Sequence, residues 1–381
     1  MRQKLEFQAD RIEAVLAVHK VTARVTGGTV TPRWVRFQVL PALGARMSRI
    51  KGLSEELAAA LDTSNCRISR RGAAVTVEVP RDDPRPVRLL PLYRQLVSGE
   101  SPSTIPPITA ILGLAEDGAP LLIRLPSPDV AHVLIAGTTG SGKTVLMQTM
   151  ILSLALSNAP QAAPCPSGQG PAGPGLALVL IDPKGQALSV FDGLPHLTRP
   201  VIRETPEAIE ALNSLVHLME RRAPARLGPS HIVLVIDELA DLLLTGGKPV
   251  QQALTRLTQR GRGAGIHVIA ATQKPTSAVL GPLVKANFPV RLVGRVTSIE
   301  DARTATGWSG SGAERLMGRG DFLAVAEGRV TRFQAAHVSP QEIHEVVGHL
   351  AGDQPASGTA KTRASLPGPV RQLADVLRGD G

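Results

Sequence analysis

The 381-residue sequence contains few aromatic residues, few cysteines and no long apolar run, and each shortage excludes a class of protein. Aromatic residues make up 2% of the chain, so base stacking on tryptophan or tyrosine is not expected to dominate any binding site. Two cysteines, Cys66 and Cys165, are too few for a disulfide framework or a zinc knuckle. No apolar stretch approaches the ~20 residues of a membrane span, and the first residues lack the apolar core of a secretory signal. These absences predict a soluble cytosolic protein in a reducing compartment.

The composition that is present favours a folded protein with a polyanionic partner. Apolar residues make up 43% and charged residues 19%, which allows a core and argues against global disorder. Forty-two Lys and Arg exceed 32 Asp and Glu, and a net charge of +10 favours nucleic acid or an anionic membrane as partner. Residues 1–105 carry 17 basic and 10 acidic residues, whereas residues 106–350 carry 21 and 19. The longer segment is nearly neutral, so any grip on a polyanion there must depend on a few placed residues.

Periodicity and composition divide the chain into three segments. Residues 1–105 mix helical spacing with alternating strands and end in a Ser/Pro-rich stretch, which predicts a small α+β domain and a linker. Residues 106–350 alternate apolar runs with helical segments, the pattern of an α/β fold with a mostly parallel sheet buried on both faces. Within them, residues 159–175 hold nine Pro or Gly and predict a flexible surface insertion, and residues 351–381 predict a flexible tail. The predicted strands are His132–Ala136, Ala177–Ile181, His231–Ile236, His267–Ala271 and Val290–Val293.

The strongest motif runs from Gly137 to Thr144 and fits the phosphate-binding pattern G-x-x-x-x-G-K-[ST] at every position. A strand-like run precedes it and a helical segment follows it. Its glycines let backbone N–H groups face the phosphates, and the helix N-terminus adds partial positive charge. We expect Lys143 to reach the β- and γ-phosphates of ATP and Thr144 to ligate Mg²⁺. The predicted nucleotide-binding residues are Gly137, Thr138, Thr139, Gly140, Ser141, Gly142, Lys143 and Thr144.

Two acidic residues follow the apolar run Ile232–Ile236 and complete the predicted site. Asp237 is expected to hold the Mg²⁺ through water, and Glu238 is expected to position and deprotonate the attacking water. A strand that simply ends in two solvated acids is the alternative interpretation. The complete phosphate loop earlier in the chain argues against that alternative.

Three further segments lie at the ends of predicted strands and keep two interpretations each. Asp182-Pro183-Lys184 follows one predicted strand. It is either part of the crevice at the strand ends where α/β sheets bind ligands, or an exposed turn. Gln273 ends another strand and would sense the γ-phosphate, or it satisfies backbone groups at the sheet edge. Arg262 precedes that strand and would enter a neighbouring subunit's ATP site, or it is a solvated helix end. His267 is expected to pack rather than to act in catalysis.

These residues together resemble the FtsK/SpoIIIE family of double-stranded DNA translocases. Generic ATPases share the first two motifs but not the later blocks, so the resemblance is specific. It covers roughly residues 90–340 well, and residues 1–90 more loosely resemble the small domain that precedes the motor. The matching blocks are 132–156, Ile181–Lys184, Gly193–Leu197, Met219–Arg222, Asp237–Asp241, Arg262–His267, Lys285–Arg291 and Gly312–Asp321.

The resemblance implies a RecA-like P-loop motor that assembles as a hexameric ring around duplex DNA and binds ATP between subunits. It implies that Arg262 acts in trans and that Lys274, Lys285 and Arg303 touch the DNA backbone. Contacts of that kind position DNA without reading its sequence, and their affinity falls steeply with salt. The implied catalytic residues are Lys143, Glu238, Arg262 and Gln273.

The sequence departs from the family pattern in several places. It carries no N-terminal membrane spans, and the 31 residues after Leu350 are too few for a winged-helix domain. The acidic residue that follows D-P-K in the family is Ala187 here, and a basic position near the bore is Ile299. Two other functions therefore stay open: a secretion-type motor that moves protein, and a motor for plasmid or mobile-element transfer or replication. A non-catalytic DNA-binding module fits least, because the nucleotide motif is complete.

Overall fold

The computed structural model describes residues 2–31, 33–42, 45, 47–63, 65–71, 74–98, 105–158, 160, 175–222, 230–273, 287–352 and 371–372. The chain forms two compact units, Met1–Pro86 and Val87–Gly381. Within the described residues, no helix is both long enough and apolar enough to cross a membrane.

The first unit is an antiparallel sheet that shares one hydrophobic core with its helices. The strand order is β1-β2-β4-β3, and every neighbouring pair is antiparallel. Alternate residues of β2 and β4, such as Phe37 and Val77, are buried together with Ile12 and Leu16 of α1. This arrangement confirms the predicted small α+β domain. Its elements are α1 (Arg2–Val18), β1 (Ala23–Val30), β2 (Trp34–Pro41), α2 (Met47–Lys51), α3 (Ser54–Ala60), β3 (Arg67–Arg71) and β4 (Ala74–Pro80).

The second unit is built on one large mixed sheet. Its described helices are α4 (Leu89–Val97), α5 (Lys143–Ser157), α6 (Thr205–Arg222), α7 (Leu239–Arg260), α8 (Ile299–Thr306) and α9 (Pro340–Ala351). Its described strands are β5 (Thr109–Ala115), β6 (Pro120–Arg124), β7 (Val133–Ala136), β8 (Leu176–Ile181), β9 (His231–Ile236), β10 (Ile266–Thr272), β11 (Val290–Val293), β12 (Asp321–Ala326), β13 (Arg329–Ala335) and β14 (Arg371–Gln372). Short 3₁₀ helices cover Ser189–Phe191, Gly261–Ala264 and Ala313–Arg315.

The strand order in this sheet is β14-β6-β5-β13-β12-β11-β7-β10-β9-β8. Strands β11, β7, β10, β9 and β8 form a continuous parallel block, as the alternating apolar and helical segments predict. Strands β12, β13, β5 and β6 extend the sheet in antiparallel fashion. The expected α/β fold is confirmed: the predicted parallel block lies in the half that carries the motifs, and at the other end of the sheet β14 pairs parallel with β6. Tight hairpins create the antiparallel half, and its strands escaped the sequence interpretation.

Helices cover both faces of the parallel block, which explains its continuous apolar runs. Every residue of β7, β8 and β10 is buried. Alternate residues point to opposite faces: Ile135 and Ile269 belong to the core with α5, whereas Leu134 and Val268 belong to the core with α6 and α7. Burial on two sides removes the polar alternation that a solvent-facing strand would show.

The boundary between the compact units differs from the expectation at residue 105. Helix α4 lies in the second unit, because Leu89, Leu92 and Leu96 belong to that unit's main hydrophobic cluster. The expected insertion at 159–175 lies outside the described residues except for Pro160 and Gly175. The expected tail does so as well, except for its first two residues and β14.

A stacked pair of phenylalanines offers a test of the antiparallel half. Phe322 of β12 and Phe333 of β13 are 0% and 2% exposed, with ring centroids 5.7 Å apart and planes at 27°. We expect Phe333→Ala to lower the free energy of unfolding by about 3–5 kcal/mol, because the freed volume cannot fully collapse. Urea unfolding followed by Trp308 fluorescence, in a Trp34→Phe background, would measure the second unit alone.

The matched control is Val330→Ala, in the same hairpin. Val330 is 38% exposed, so its truncation is expected to change stability by less than about 0.5 kcal/mol. A loss of similar size in both variants would contradict the packing assigned to the stacked pair.

Candidate functional site

The segment between β7 and α5 forms a phosphate loop around a helix N-terminus. Gly140 and Gly142 have φ angles of 79° and 98°, in the left-handed region that favours glycine. Gly142 is the N-cap of α5, and its carbonyl accepts from Leu146 N at 2.9 Å. The first N–H groups of a helix have no partner inside it, and they form the positive end of its dipole. The loop can therefore bind an anion with backbone groups alone.

A tight turn just before β12 supports this loop from behind. Arg319 N donates to Gly140 O at 2.9 Å, and Gly320 N donates to Ser141 O at 2.8 Å. A Cβ atom at Gly142 would lie 2.7 Å from Gly320 N, so the two backbones approach as closely as glycine permits. The antiparallel half of the sheet therefore holds the phosphate loop in shape.

The segment after β11 supports the loop from the side. Thr138 donates to Arg295 O from its backbone N–H at 2.9 Å and from its hydroxyl at 3.0 Å. Thr139 Oγ1 donates to Gln273 Oε1 at 3.3 Å. Gln273, predicted to sense phosphate, thus lies beside the phosphate loop at the end of β10.

Lys143 lies between the two acidic residues that follow β9. Its Nζ is 3.8 Å from Asp237 Oδ1 and 3.8 Å from Glu238 Oε2, and all three side chains are at least nine-tenths buried. Burial raises the pKa of Asp237, and the Lys143 ammonium opposes that rise. The structure thus brings together the lysine and both carboxylates that the motifs predict.

Asp237 offers an unused ligand atom at this point. Its Oδ1 is buried and accepts no hydrogen bond from the described residues. Thr144, half-buried in the first turn of α5, supplies a hydroxyl at the same edge of the sheet. A hydroxyl, a carboxylate and phosphate oxygens are the donors that Mg²⁺ prefers, so these residues fit such an ion.

Glu238 is held in place by the neighbouring strand. It is 3% exposed and adopts a left-handed backbone with φ of 59°. Its carboxylate accepts from Thr272 Oγ1 at 3.0 Å and from Gln273 N at 3.1 and 3.2 Å. The strained backbone and the two donors from the end of β10 together fix the direction of the carboxylate.

In the Asp182-Pro183-Lys184 segment, Asp182 holds the loop together and Lys184 carries a charge to the acidic residues. Asp182 is fully buried, and its carboxylate accepts from four backbone N–H groups, those of Lys184, Gly185, Ala187 and Leu188, at 2.8–3.2 Å. Lys184 Nζ lies 3.0 Å from Asp241 Oδ2 and 4.0 Å from Glu238 Oε2. The segment is therefore an ordered loop that places an ammonium beside the acidic pair.

Arg262 lies at the opposite edge of the sheet from this chain's own phosphate loop. It belongs to the 3₁₀ turn that precedes the first residue of β10, whereas the phosphate loop follows the last residue of the parallel neighbour β7. Its Nη1 donates to Pro128 O at 2.9 Å. His267 is fully buried there, with burial lowering its pKa to about 3, so it packs as a neutral ring.

The residues predicted to contact DNA are only partly covered by the structure. Arg303 is exposed on α8, whereas Lys274 and Lys285 lie outside the described residues. Sequence reasoning missed Thr272, the Lys184–Asp241 pair and the support from Arg319 and Gly320. One available signal was the acidic residue at the third position after Glu238, which falls in the first turn of α7.

Comparison with known proteins gives matches along most of the chain. The chain matches the FtsK/SpoIIIE family over residues 105–228 and 224–277, and the FtsK alpha domain over residues 1–81. It is 33% identical over 397 residues to a protein named DNA translocase FtsK from Staphylococcus epidermidis, covering 96% of this chain and 47% of that protein. A protein of the same name from Sporosarcina ureae is 34% identical over 383 residues, covering 92% and 46%. The chain thus spans about half the length of these curated relatives.

Solved structures share the fold at lower identity. The pCW3 conjugation coupling protein TcpA, in its monomer form with ATPgS, aligns with a TM-score of 0.54 and 18% identity, covering 89% of this chain and 99% of that one. The cytoplasmic domain of the Thermomonospora curvata type VII secretion ATPase EccC aligns with a TM-score of 0.53 and 24% identity, covering 68% and 33%. These likenesses show the fold alone.

The support that Gly320 gives to the phosphate loop can be tested by one methyl group. Gly320 has φ of 89°, and a Cβ there would lie 2.7 Å from Gln334 Nε2. We expect Gly320→Ala to shift the turn away from Ser141 and to weaken binding of a fluorescent ATP analogue about tenfold or more. Fluorescence titration would measure the dissociation constant.

Gly118→Ala is the matched control, because Gly118 has φ of 86° in the turn between β5 and β6 and open space around it. It imposes similar backbone strain without touching the loop, so its affinity for the analogue should be unchanged. Equal affinities in the two variants would contradict the supporting role of the turn.

Proposed function

The chain belongs to the FtsK/SpoIIIE family, and we propose that it hydrolyses ATP in order to move along double-stranded DNA. The observation that carries the hydrolysis is the burial of Lys143 between Asp237 and Glu238 at the phosphate loop. The DNA partner is inferred from the relatives, which are named DNA translocases.

The phosphate loop would bind the nucleotide mainly through its backbone. Its N–H groups and the N-terminus of α5 would face the phosphate oxygens, and Lys143 would turn from the carboxylates to the β- and γ-phosphates. Thr144 and Asp237 would hold Mg²⁺, which would supply neutralisation of phosphate charge when bound. The buried Oδ1 of Asp237, which accepts no hydrogen bond from the described residues, supports this assignment.

Glu238 would act as the general base. Its carboxylate, held by Thr272 and the Gln273 N–H, would accept a proton from the water that attacks the γ-phosphate. The Gln273 side chain, within reach of Thr139 in the phosphate loop, would sense the γ-phosphate. Fixing the base before the nucleotide arrives would reduce the reorganisation needed in the transition state.

Arg262 would complete the site of a neighbouring subunit. Arg262 lies at the opposite edge of the sheet from the phosphate loop of the same chain. This position does not support a role in that chain's ATP site, but it supports a role in the ATP site of a neighbour. We therefore propose a ring of identical subunits, hexameric as in the family, with ATP between neighbours. An arginine in that position would stabilise charge in the transition state.

Mixed subunits would test the base and the trans arginine together. Glu238→Gln and Arg262→Ala chains should each bind ATP but hydrolyse it at least ~100-fold more slowly than wild type. When mixed, Glu238→Gln subunits still donate Arg262 to the intact sites of Arg262→Ala subunits. Phosphate release should then recover to a substantial fraction of the wild-type rate.

A chain carrying both substitutions is the control for the mixing experiment. Mixed with either single variant, it can rebuild no complete site, because the mixture then lacks either Glu238 or Arg262, so turnover should not recover. Near-normal turnover by Glu238→Gln alone, or no recovery in any mixture, would contradict the respective role of Glu238 or Arg262.

The route from the ATP site to DNA would pass through α8. Thr138 of the phosphate loop bonds to Arg295 O, and α8 begins four residues later at Ile299, with Arg303 on its exposed side. A change in the loop on nucleotide binding would therefore be felt at α8. Residues 106–350 are nearly neutral, so a few cations such as Lys274, Lys285 and Arg303 would carry the grip on the phosphate backbone.

Salt dependence would test this DNA contact. In the triple variant Lys274→Ala, Lys285→Ala and Arg303→Ala, the slope of log affinity against log salt should become shallower by about one unit per lost phosphate contact. Duplex DNA should also stimulate its ATP hydrolysis less than that of wild type. Affinity measured by fluorescence anisotropy at several salt concentrations, beside steady-state ATP hydrolysis, would give both quantities.

The control is the double variant Lys248→Ala and Arg256→Ala, which removes exposed cations from α7. Its salt slope should match that of wild type. An unchanged slope in the triple variant would remove these residues from the DNA path. ATP hydrolysis by wild type that duplex DNA does not stimulate would contradict the proposed function and favour a protein cargo.

A further inference from the structure

We propose that Lys184 is a positioning residue for Glu238, with Asp241 as its anchor. The inference rests on the proposed ATP hydrolysis and adds a residue to its machinery. In the structure, Glu238 faces two ammonium groups, Lys143 at 3.8 Å and Lys184 at 4.0 Å. Once Lys143 turns to the phosphates, Lys184 is the cation that remains on the carboxylate.

The backbone of Lys184 is fixed independently of the nucleotide. The four N–H bonds to the Asp182 carboxylate close the loop after β8, and Asp182 N itself donates to Ile202 O at 2.8 Å. Gln148 Nε2 of α5 donates to Ala187 O at 2.7 Å, which ties this loop to the helix that begins at the phosphate loop. These hydrogen bonds therefore fix the position of Lys184 relative to the phosphate loop.

The side chain of Lys184 is directed by the acidic residues of α7. Its Nζ lies 3.0 Å from Asp241 Oδ2, and this hydrogen bond is the main cause of the raised pKa of Lys184. Glu238 is the N-cap residue of α7, and Asp241 lies in its first turn. Both carboxylates face the Lys184 ammonium, at 4.0 and 3.0 Å. Without that ammonium the two carboxylates would repel each other, and Glu238 would leave the direction in which Thr272 holds it.

This arrangement predicts a loss in turnover without a loss in nucleotide affinity. Lys184 is 44% exposed, and without it Glu238 keeps the Lys143 counter-charge and its hydrogen bonds, so the removal should not unfold the second unit. We expect Lys184→Ala to lower kcat about 10- to 100-fold, because a small displacement of the base is costly in the transition state. The dissociation constant of an ATP analogue should stay within about threefold of the wild-type value, since the ion pairs of Lys184 are with Asp241 and Glu238.

The experiment measures kcat and analogue affinity in the 381-residue chain for wild type and five variants. Lys184→Arg, which keeps the cation, should have a kcat at least about tenfold higher than that of Lys184→Ala. Asp241→Asn should lower kcat in the wild-type background but leave it unchanged or raise it in the Lys184→Ala background, where it removes the carboxylate that repels Glu238. Lys248→Ala removes an exposed lysine further along α7 and should match wild type in both measurements.

Three results would overturn the inference. A kcat for Lys184→Ala within about twofold of wild type would remove Lys184 from the mechanism. A parallel fall in kcat and affinity would make Lys184 a nucleotide ligand instead. Full additivity of the Lys184 and Asp241 substitutions would separate the proposed pair. By contrast, a wild-type chain that binds the analogue but shows no hydrolysis would refute the proposed function itself, and the inference with it.

Discussion

Two adjacent carboxylates, Asp237 and Glu238, are buried together at the end of β9, and a lysine from another segment is buried between them. Charges taken out of water are costly unless a counter-charge and hydrogen bonds replace the lost hydration. Lys143 supplies the counter-charge, and Thr272 with the Gln273 N–H supplies hydrogen bonds to Glu238. Asp237 is less fully satisfied, because its Oδ1 has the Lys143 ammonium at 3.8 Å but accepts no hydrogen bond within the described part of the chain. These contacts would allow Lys143 to move to a phosphate when one binds. They would also allow Asp237 to bind a cation.

The register of the sheet makes this balance geometrically possible. In the parallel block, Thr272 of β10 pairs with Ala136 of β7, and Ala270, two residues earlier in β10, pairs with Ile236 of β9. The phosphate loop, the acidic pair and Gln273 consequently leave the sheet at the same edge. The antiparallel half adds support for the phosphate loop, because the turn before β12 brings Arg319 and Gly320 against the back of that loop.

How much of this was predictable depends on whether a feature is local in sequence. The phosphate loop is one continuous motif, so its glycines and Lys143 could be identified without the structure, and the strand before Asp237 predicted where the acids would meet it. The Lys184–Asp241 pair joins a loop to the first turn of α7, more than fifty residues apart along the chain, and nothing in either segment alone identifies the other. The boundary before α4 failed for a related reason. A Ser/Pro-rich stretch after a helix resembles a linker, whereas the side on which Leu92 is buried is decided by packing.

The distribution of charge then connects the site to its proposed cargo. A uniformly basic surface would hold DNA tightly everywhere and would resist stepping, whereas a nearly neutral unit with a few exposed cations can change its grip by moving one element. Helix α8 is suited to that movement. Its N-cap Ser298 accepts from Asp301 N at 3.0 Å, and Gly307 ends it with φ of 72°, so it is a short, well-bounded body. Because Arg295 O, just ahead of that helix, is bonded to Thr138 of the phosphate loop, the grip and the nucleotide state would share a backbone connection of only a few residues.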